Sequence, residues 1–234
     1  MNNILIKVEN LVKTFGGLVA LNDCSLEIKD KTITGIIGPN GSGKTTLFNV
    51  ITGNLKPDTG KVFYNGVEIT NEESHDLFHL GVLRTFQIAH EFSNMTVIEN
   101  LMVVPGNQKG EKLLYSLMNS QKIKKEDELI KDKAMEVLKF LKIEHLKNER
   151  AGNLSGGQKK LLELARTMMV DAKIVFLDEV GAGVNKTLLR DISDSILKLN
   201  QDKGYTFCMI EHDFNFISEL CDPVIAVSYT HLRD

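Results

Sequence analysis

Apolar and polar residues alternate through Ile4-Leu5-Ile6-Lys7-Val8 and again through Cys24-Ser25-Leu26-Glu27-Ile28, the two-residue period of half-buried strands. Three other runs are apolar on both faces and predict buried strands: Thr32–Ile37, Lys173–Leu177 and Tyr205–Ile210. Lys61–Tyr64 and Val67–Ile69 flank Asn65-Gly66, a strong hairpin signal, and Pro57–Gly60 reads as the turn before them. Gly81–Phe86 predicts a strand ending at Gln87. Helical spacing appears in Ile130, Ala134, Val137, Leu138 and Leu141, and again in Leu188, Ile192, Ile196 and Leu199, the latter ended near Gly204. Shorter helices are expected over Glu72–Leu80, over Met95–Leu101 with Asn94 or Thr96 as cap, and over Lys159–Val170 with Ser155 as cap. Pro105-Gly106-Asn107 interrupts the second of these.

In this order the elements describe one α/β domain over residues 1–227. The core is expected over 1–91 and 151–227, with an antiparallel β portion early on and an α-helical subdomain inserted at about 92–150. Composition changes little in that picture: 234 residues, 42% hydrophobic and 25% charged, are ordinary for a globular protein. The formal net charge of -3 argues against nucleic acid as the main partner. Cys24, Cys208 and Cys221 show no paired or metal-like spacing, so free and mostly buried thiols in a reducing compartment are expected. The N-terminus lacks the apolar core of a signal peptide, and no run approaches the ~18 apolar residues that span a bilayer. Work at a membrane would therefore go through a separate subunit.

The chemistry begins at Gly38-Pro39-Asn40-Gly41-Ser42-Gly43-Lys44-Thr45-Thr46. This stretch fits the glycine-rich phosphate loop, and it sits where such a loop must, between a buried strand and a helix start. Backbone N–H groups at the start of a helix lack internal partners and lie at its positive end, so they favour phosphate. Lys44 is placed to reach the β- and γ-phosphates of a nucleoside triphosphate, and the Thr45 hydroxyl to bind Mg²⁺. The strand at 173–177 ends in Asp178-Glu179, and the ends of strands are where open α/β sheets bind ligands. The next strand ends in Glu211-His212. The Gly156-Gly157 pair at a helix start weakens the helix and leaves its backbone accessible, which a cap alone does not explain, so a second anion-contacting turn is expected there. Phe15 beside Gly16-Gly17 has two readings, core or exposed platform, and spacing alone favours core.

Together these segments resemble the ATP-binding subunits of ABC transporters over essentially the whole chain. The phosphate loop, Gln87 at a strand end, the signature Leu154-Ser155-Gly156-Gly157-Gln158, the acidic strand end Ile174–Glu179 and His212 occur in that family's order. The resemblance implies a P-loop NTPase core with ATP and Mg²⁺ as ligands. It implies adenine stacking for Phe15, triphosphate binding for Gly38–Thr46, and Mg²⁺ contacts, direct or through water, for Thr45, Gln87 and Asp178. It makes Glu179 the general base and gives His212 the γ-phosphate. It assigns Ser155, Gly156, Gly157 and Gln158 to ATP held by the opposite subunit of a head-to-tail dimer.

Finer stretches are similar to the LivG-type subunit of branched-chain amino acid importers: Phe15–Leu21, Arg84-Thr85-Phe86-Gln87, Met95–Leu101 and Leu161–Arg166. That likeness implies a sister ATPase or a second copy, two membrane permease subunits and an external binding protein. It places the chain peripherally on the cytoplasmic face of a bacterial inner membrane. Other cargo such as urea or amides, an export ATPase and a soluble ABC ATPase are the alternatives. Val180 stands where the family usually has Pro after the base. Ser228–Asp234 reads as a non-native tail on a truncated C-terminus.

Overall fold

The computed structural model describes residues 3–85, 91–106 and 120–227. In chain order the strands are β1 (Ile4–Phe15), β2 (Leu18–Lys29), β3 (Ile33–Ile37), β4 (Thr59–Tyr64), β5 (Val67–Glu68), β6 (Val82–Arg84), β7 (Ile174–Asp178), β8 (Thr206–Ile210) and β9 (Val224–Ala226). The helices are α1 (Lys44–Ile51), α2 (Ser74–His79), α3 (Val97–Met102), α4 (Ser120–Phe140), α5 (Gly156–Met168), α6 (Lys186–Lys203) and α7 (Phe214–Leu220). The chain divides into two compact units, one from residues 1–87, 172–182 and 196–234, the other from 88–171 and 183–195.

The first unit holds two sheets. An antiparallel sheet runs in the order β2-β1-β4-β5. Asn65 and Gly66 turn the β4–β5 hairpin with φ of 49 and 81, the two positive angles that a two-residue turn needs to match strand twist. β1 and β2 extend well past the alternating runs, to a tip at Gly16-Gly17 where alternation has faded and side chains face solvent. Phe15 is 48% exposed there, which corrects the core reading that spacing favours. The tip is tied back by Asp58. Its carboxylate accepts from Lys13 Nζ at 2.8 Å and from the Thr14 amide and hydroxyl at 2.7 Å each. Those donors hold the Asp58 carboxyl down at about 2.

The second sheet is wholly parallel, in the order β6-β7-β8-β3-β9. Every residue of β7 and β8 is buried, as continuous apolar runs demand of central strands. Leu47, Phe48 and Ile51 of α1 are fully buried in a core with Ile36, Ile174 and Phe176, and the Phe48 ring meets that of Phe176 edge-on at 5.0 Å. Cys24, Cys208 and Cys221 are all free thiols.

The second unit is helical. Thr96, not Asn94, caps α3 through a reciprocal pair of bonds with Glu99. Asn100 is fully buried, and its side chain bonds the backbone at Phe92, Met95 and Thr96. Val97, Leu101, Ala134, Val137, Leu138, Leu161, Leu162 and Ala165 close the core of this unit. α5 packs on α3 and α4, and so the helical unit reaches well beyond residues 92–150. Among the described residues no helix is long and apolar enough to cross a membrane.

Candidate functional site

Four strand ends of the parallel sheet carry the charged and glycine-rich segments. β3 runs into Gly38, β7 ends in Asp178 before Glu179, β8 runs into Glu211-His212, and β6 ends in Arg84. β8 lies between β3 and β7, so its His212 end falls between the phosphate loop and the acidic end. That is the carboxyl edge where parallel sheets bind ligands.

The loop itself is shaped by close approaches. Gly43 has φ of +88, and a Cβ there would lie 2.2 Å from the Ala20 carbonyl oxygen. Only glycine fits that position. Gly43 also occupies the N-cap of α1 and supplies no side-chain cap, so the amides of the first turn remain available to a ligand. Lys44 is buried and folds back on the loop, its ammonium donating to the carbonyls of Gly38 and Pro39 at 2.8 Å each. Burial pushes its pKa below the ordinary value, against the pull of Glu179 and Asp178. Pro39, Asn40, Gly41 and Thr45 are exposed on the same loop, with Thr46 half-buried behind them. The Ser42 hydroxyl is buried without a hydrogen-bond partner.

At the acidic end, Asp178 is 1% exposed. Its Oδ2 accepts from Arg84 at 2.8 Å, while Oδ1 is buried with no partner. Glu179 follows with φ of 49, a left-handed angle that is strained for a side chain with a Cβ. Its amide donates to Ile210 O at 3.0 Å, and its Oε1 lies 3.1 Å from His212 Nε2. Glu211 is buried and accepts from the Gly181 amide at 2.7 Å. Burial raises its pKa, opposed by the Gly181 and His212 amides. Val180 is buried immediately after Glu179.

The signature lies in the second unit. Ser155 caps α5 in a capping box with Gln158, the Ser155 amide donating to Gln158 Oε1 at 2.9 Å and the Gln158 amide to Ser155 Oγ at 3.3 Å. The helix therefore begins at Gly156, earlier than the expected Lys159. The two glycines serve different ends. A Cβ on Gly156 would meet nothing within 4 Å, whereas one on Gly157 would lie 2.1 Å from Leu188 Cδ2. Gly156 keeps the helix start open and Gly157 lets the 183–195 segment pack.

The structure thus brings Lys44, Asp178, Glu179 and His212 to one edge of one sheet, and Phe15 to an exposed tip of the same unit. Gln87 lies outside the described residues. Arg84, Asn49 and Glu211 are polar groups at this edge to which sequence reasoning assigned no role. The signal for Arg84 was a cation directly after the apolar pair Val82-Leu83, since a charge in a buried strand needs a partner.

Fold and site together define a P-loop nucleotide-binding ATPase. The chain belongs to the ABC transporter family, whose model matches residues 21–182. A probable branched-chain amino acid transport ATP-binding protein LivG of Methanocaldococcus jannaschii is 44% identical over 93% of this chain and 84% of its own length. The protein of the same description from Archaeoglobus fulgidus is 42% identical over 96% and 86%. Among solved structures, a nucleotide-free ATP-binding cassette of an ABC transporter shares 42% identity with a TM-score of 0.82, covering 96% of this chain and 88% of that one. A dimeric bacterial ABC transporter cassette shares 25% identity with a TM-score of 0.77, covering 96% and 94%.

Proposed function

We propose that this chain is the ATP-hydrolysing subunit of an importer for branched-chain or related amino acids. It works as one half of a cassette pair, with a sister ATPase or a second copy, beneath two permease subunits at the membrane. The observation that carries the enzymatic part is the placement of Lys44, Asp178, Glu179 and His212 at adjoining ends of one sheet. The cargo rests on the descriptions of the relatives.

In this reading Gly38–Thr46 hold the triphosphate through loop amides and Lys44, which exchanges its carbonyl partners for phosphate oxygens. Phe15 offers its exposed ring to adenine. Oδ1 of Asp178 and the Thr45 hydroxyl are hard oxygen donors suited to Mg²⁺, and the orphaned Oδ1 is the feature that fits it. Among the described residues no group of three or more His, Cys, Asp or Glu could hold a metal by itself. Bound Mg²⁺ neutralises charge on the phosphates. Glu179 is placed to orient a water and take its proton, and His212 both fixes the Glu179 carboxylate and faces the γ-phosphate. Ser155, Gly156, Gly157 and Gln158 offer the open start of α5 to nucleotide on the opposite subunit. Gln87 completes the metal side.

The test uses the chain co-purified with its permeases and reconstituted in lipid vesicles. Leucine with its binding protein is expected to stimulate ATP hydrolysis. Glu179→Gln is expected to lower kcat by about 10²–10⁴-fold while ATP binding persists. Lys44→Ala should weaken ATP binding. Stimulation by urea or an amide but not by leucine would change the cargo. Full turnover by Glu179→Gln would remove Glu179 from the role of base.

A further inference from the structure

The unexplained group at the site is Arg84. Its guanidinium is a permanent positive charge whose side chain is 9% exposed, placed against the one carboxylate expected to face a cation. One nitrogen donates to Asp178 Oδ2 at 2.8 Å, and another donates to the Asn49 side-chain oxygen on α1. The guanidinium lies 5.9 Å from the centroid of Phe48, whose ring abuts Phe176 of β7. The fork therefore ties the helix that follows the phosphate loop to the strand that carries the acid. Its effect on Asp178 is selective: Oδ2 is taken, and Oδ1 is left as the unpartnered oxygen.

We infer that Arg84 is a positioning residue for the metal: it locks the Asp178 carboxylate in one rotamer and dedicates Oδ1 to Mg²⁺. The inference rests on the reading of Asp178 as the metal-side acid. A cation beside that acid also offsets its charge, so Asp178 alone is a poor site for free Mg²⁺. Metal binding then depends on the charge that the triphosphate brings. The arrangement couples arrival of the metal to arrival of the nucleotide. Lysine cannot replace this fork, because a single ammonium lacks the planar pair of donors that reaches Asn49 and Asp178 together.

The test is binding of a fluorescent ATP analogue to the purified chain, titrated with Mg²⁺ from an EDTA-treated start. The proteins are the wild type, Arg84→Lys, Asn49→Ala and Asp178→Asn, each checked first by thermal melting. Arg84→Lys is expected to bind the analogue in EDTA as the wild type does, but to need about 10-fold more Mg²⁺ at the midpoint, the scale at which partners of metal ligands act. Asn49→Ala removes one anchor of the fork, keeps the guanidinium on Asp178, and should shift the midpoint the same way by less. If Arg84→Lys does not fold, this second variant carries the test. A midpoint within twofold of wild type in the folded variants overturns the inference, as does an affinity loss of equal size with and without Mg²⁺, which marks a merely structural role. Asp178→Asn separates the two levels. If it retains the full Mg²⁺ response, the reading of Asp178 fails; if it loses the response while Arg84→Lys does not, the role of Arg84 alone fails.

Discussion

Glu211 sits at the end of β8 with 5% of its surface exposed, and its carboxyl receives the Gly181 amide two residues beyond the proposed base. That contact fixes the backbone after Glu179, next to the buried Val180. Its cost is electrostatic, because burial raises the pKa by penalising the charged form. The sign follows from which state loses its proton first. Below the unfolded value, about 4.3, Glu211 is neutral in both states and its contribution to stability is complete. As pH rises towards the folded value the unfolded chain ionises first, and native stability falls. Glu211→Gln keeps an acceptor for Gly181 and cannot ionise. Its melting temperature is expected to overtake that of wild type as pH rises above 4.3 and to stay higher at neutral pH, by about 2–4 °C for each kcal/mol in a chain of this size. Thermal melts of both proteins between acid and neutral pH check this; parallel curves would show that Glu211 is not penalised.

At the scale of elements, the start of α5 separates two uses of glycine. Gly156→Ala has open space and replaces a poor helix former, so the fold should hold or gain slightly, about 0.5–1 kcal/mol. ATP hydrolysis should nevertheless fall, because the added methyl stands on the surface proposed to receive phosphate. Gly157→Ala drives a methyl into Leu188 and should destabilise the chain by about 1–3 kcal/mol. Denaturant unfolding and ATPase assays on the two variants read these opposite patterns.

The ends of β7 and β8 were legible because apolar runs stop abruptly at charged residues. The hairpin at Asn65-Gly66 was legible because its turn demands those residues. The exposure of Phe15 was not legible in the spacing, since a two-residue period gives the face of a strand but not where the partner surface ends. Nor was the extent of the helical unit: α5 joins it through packing on α3 and α4, and no local signal encodes which neighbour an amphipathic helix selects. Arg84 escaped assignment because its two partners lie 35 and 94 residues away along the chain.

For the molecule as a whole, the expected consequence is assembly. With Mg²⁺ and ATP, Glu179→Gln should double its mass by light scattering, alone or mixed with a sister ATPase, and should return to the single chain in ADP. Ser155→Arg should block that doubling while ATP binding by the single chain persists. A chain that stays single with ATP, both alone and with its sister, would contradict the paired-cassette reading.

The order of the parallel sheet has a metric consequence. β8 separates β3 from β7, and neighbouring strands lie about 4.7–4.9 Å apart, so the phosphate loop and the acidic end spring from strands about 10 Å apart. That gap is wide enough for a terminal phosphoryl group with a water in line behind it. It is fixed by the length of two rows of peptide hydrogen bonds, not by any side chain. Substitutions along the strands can sharpen or blunt the chemistry at either margin, but resetting the clearance itself would take the insertion or loss of a whole strand.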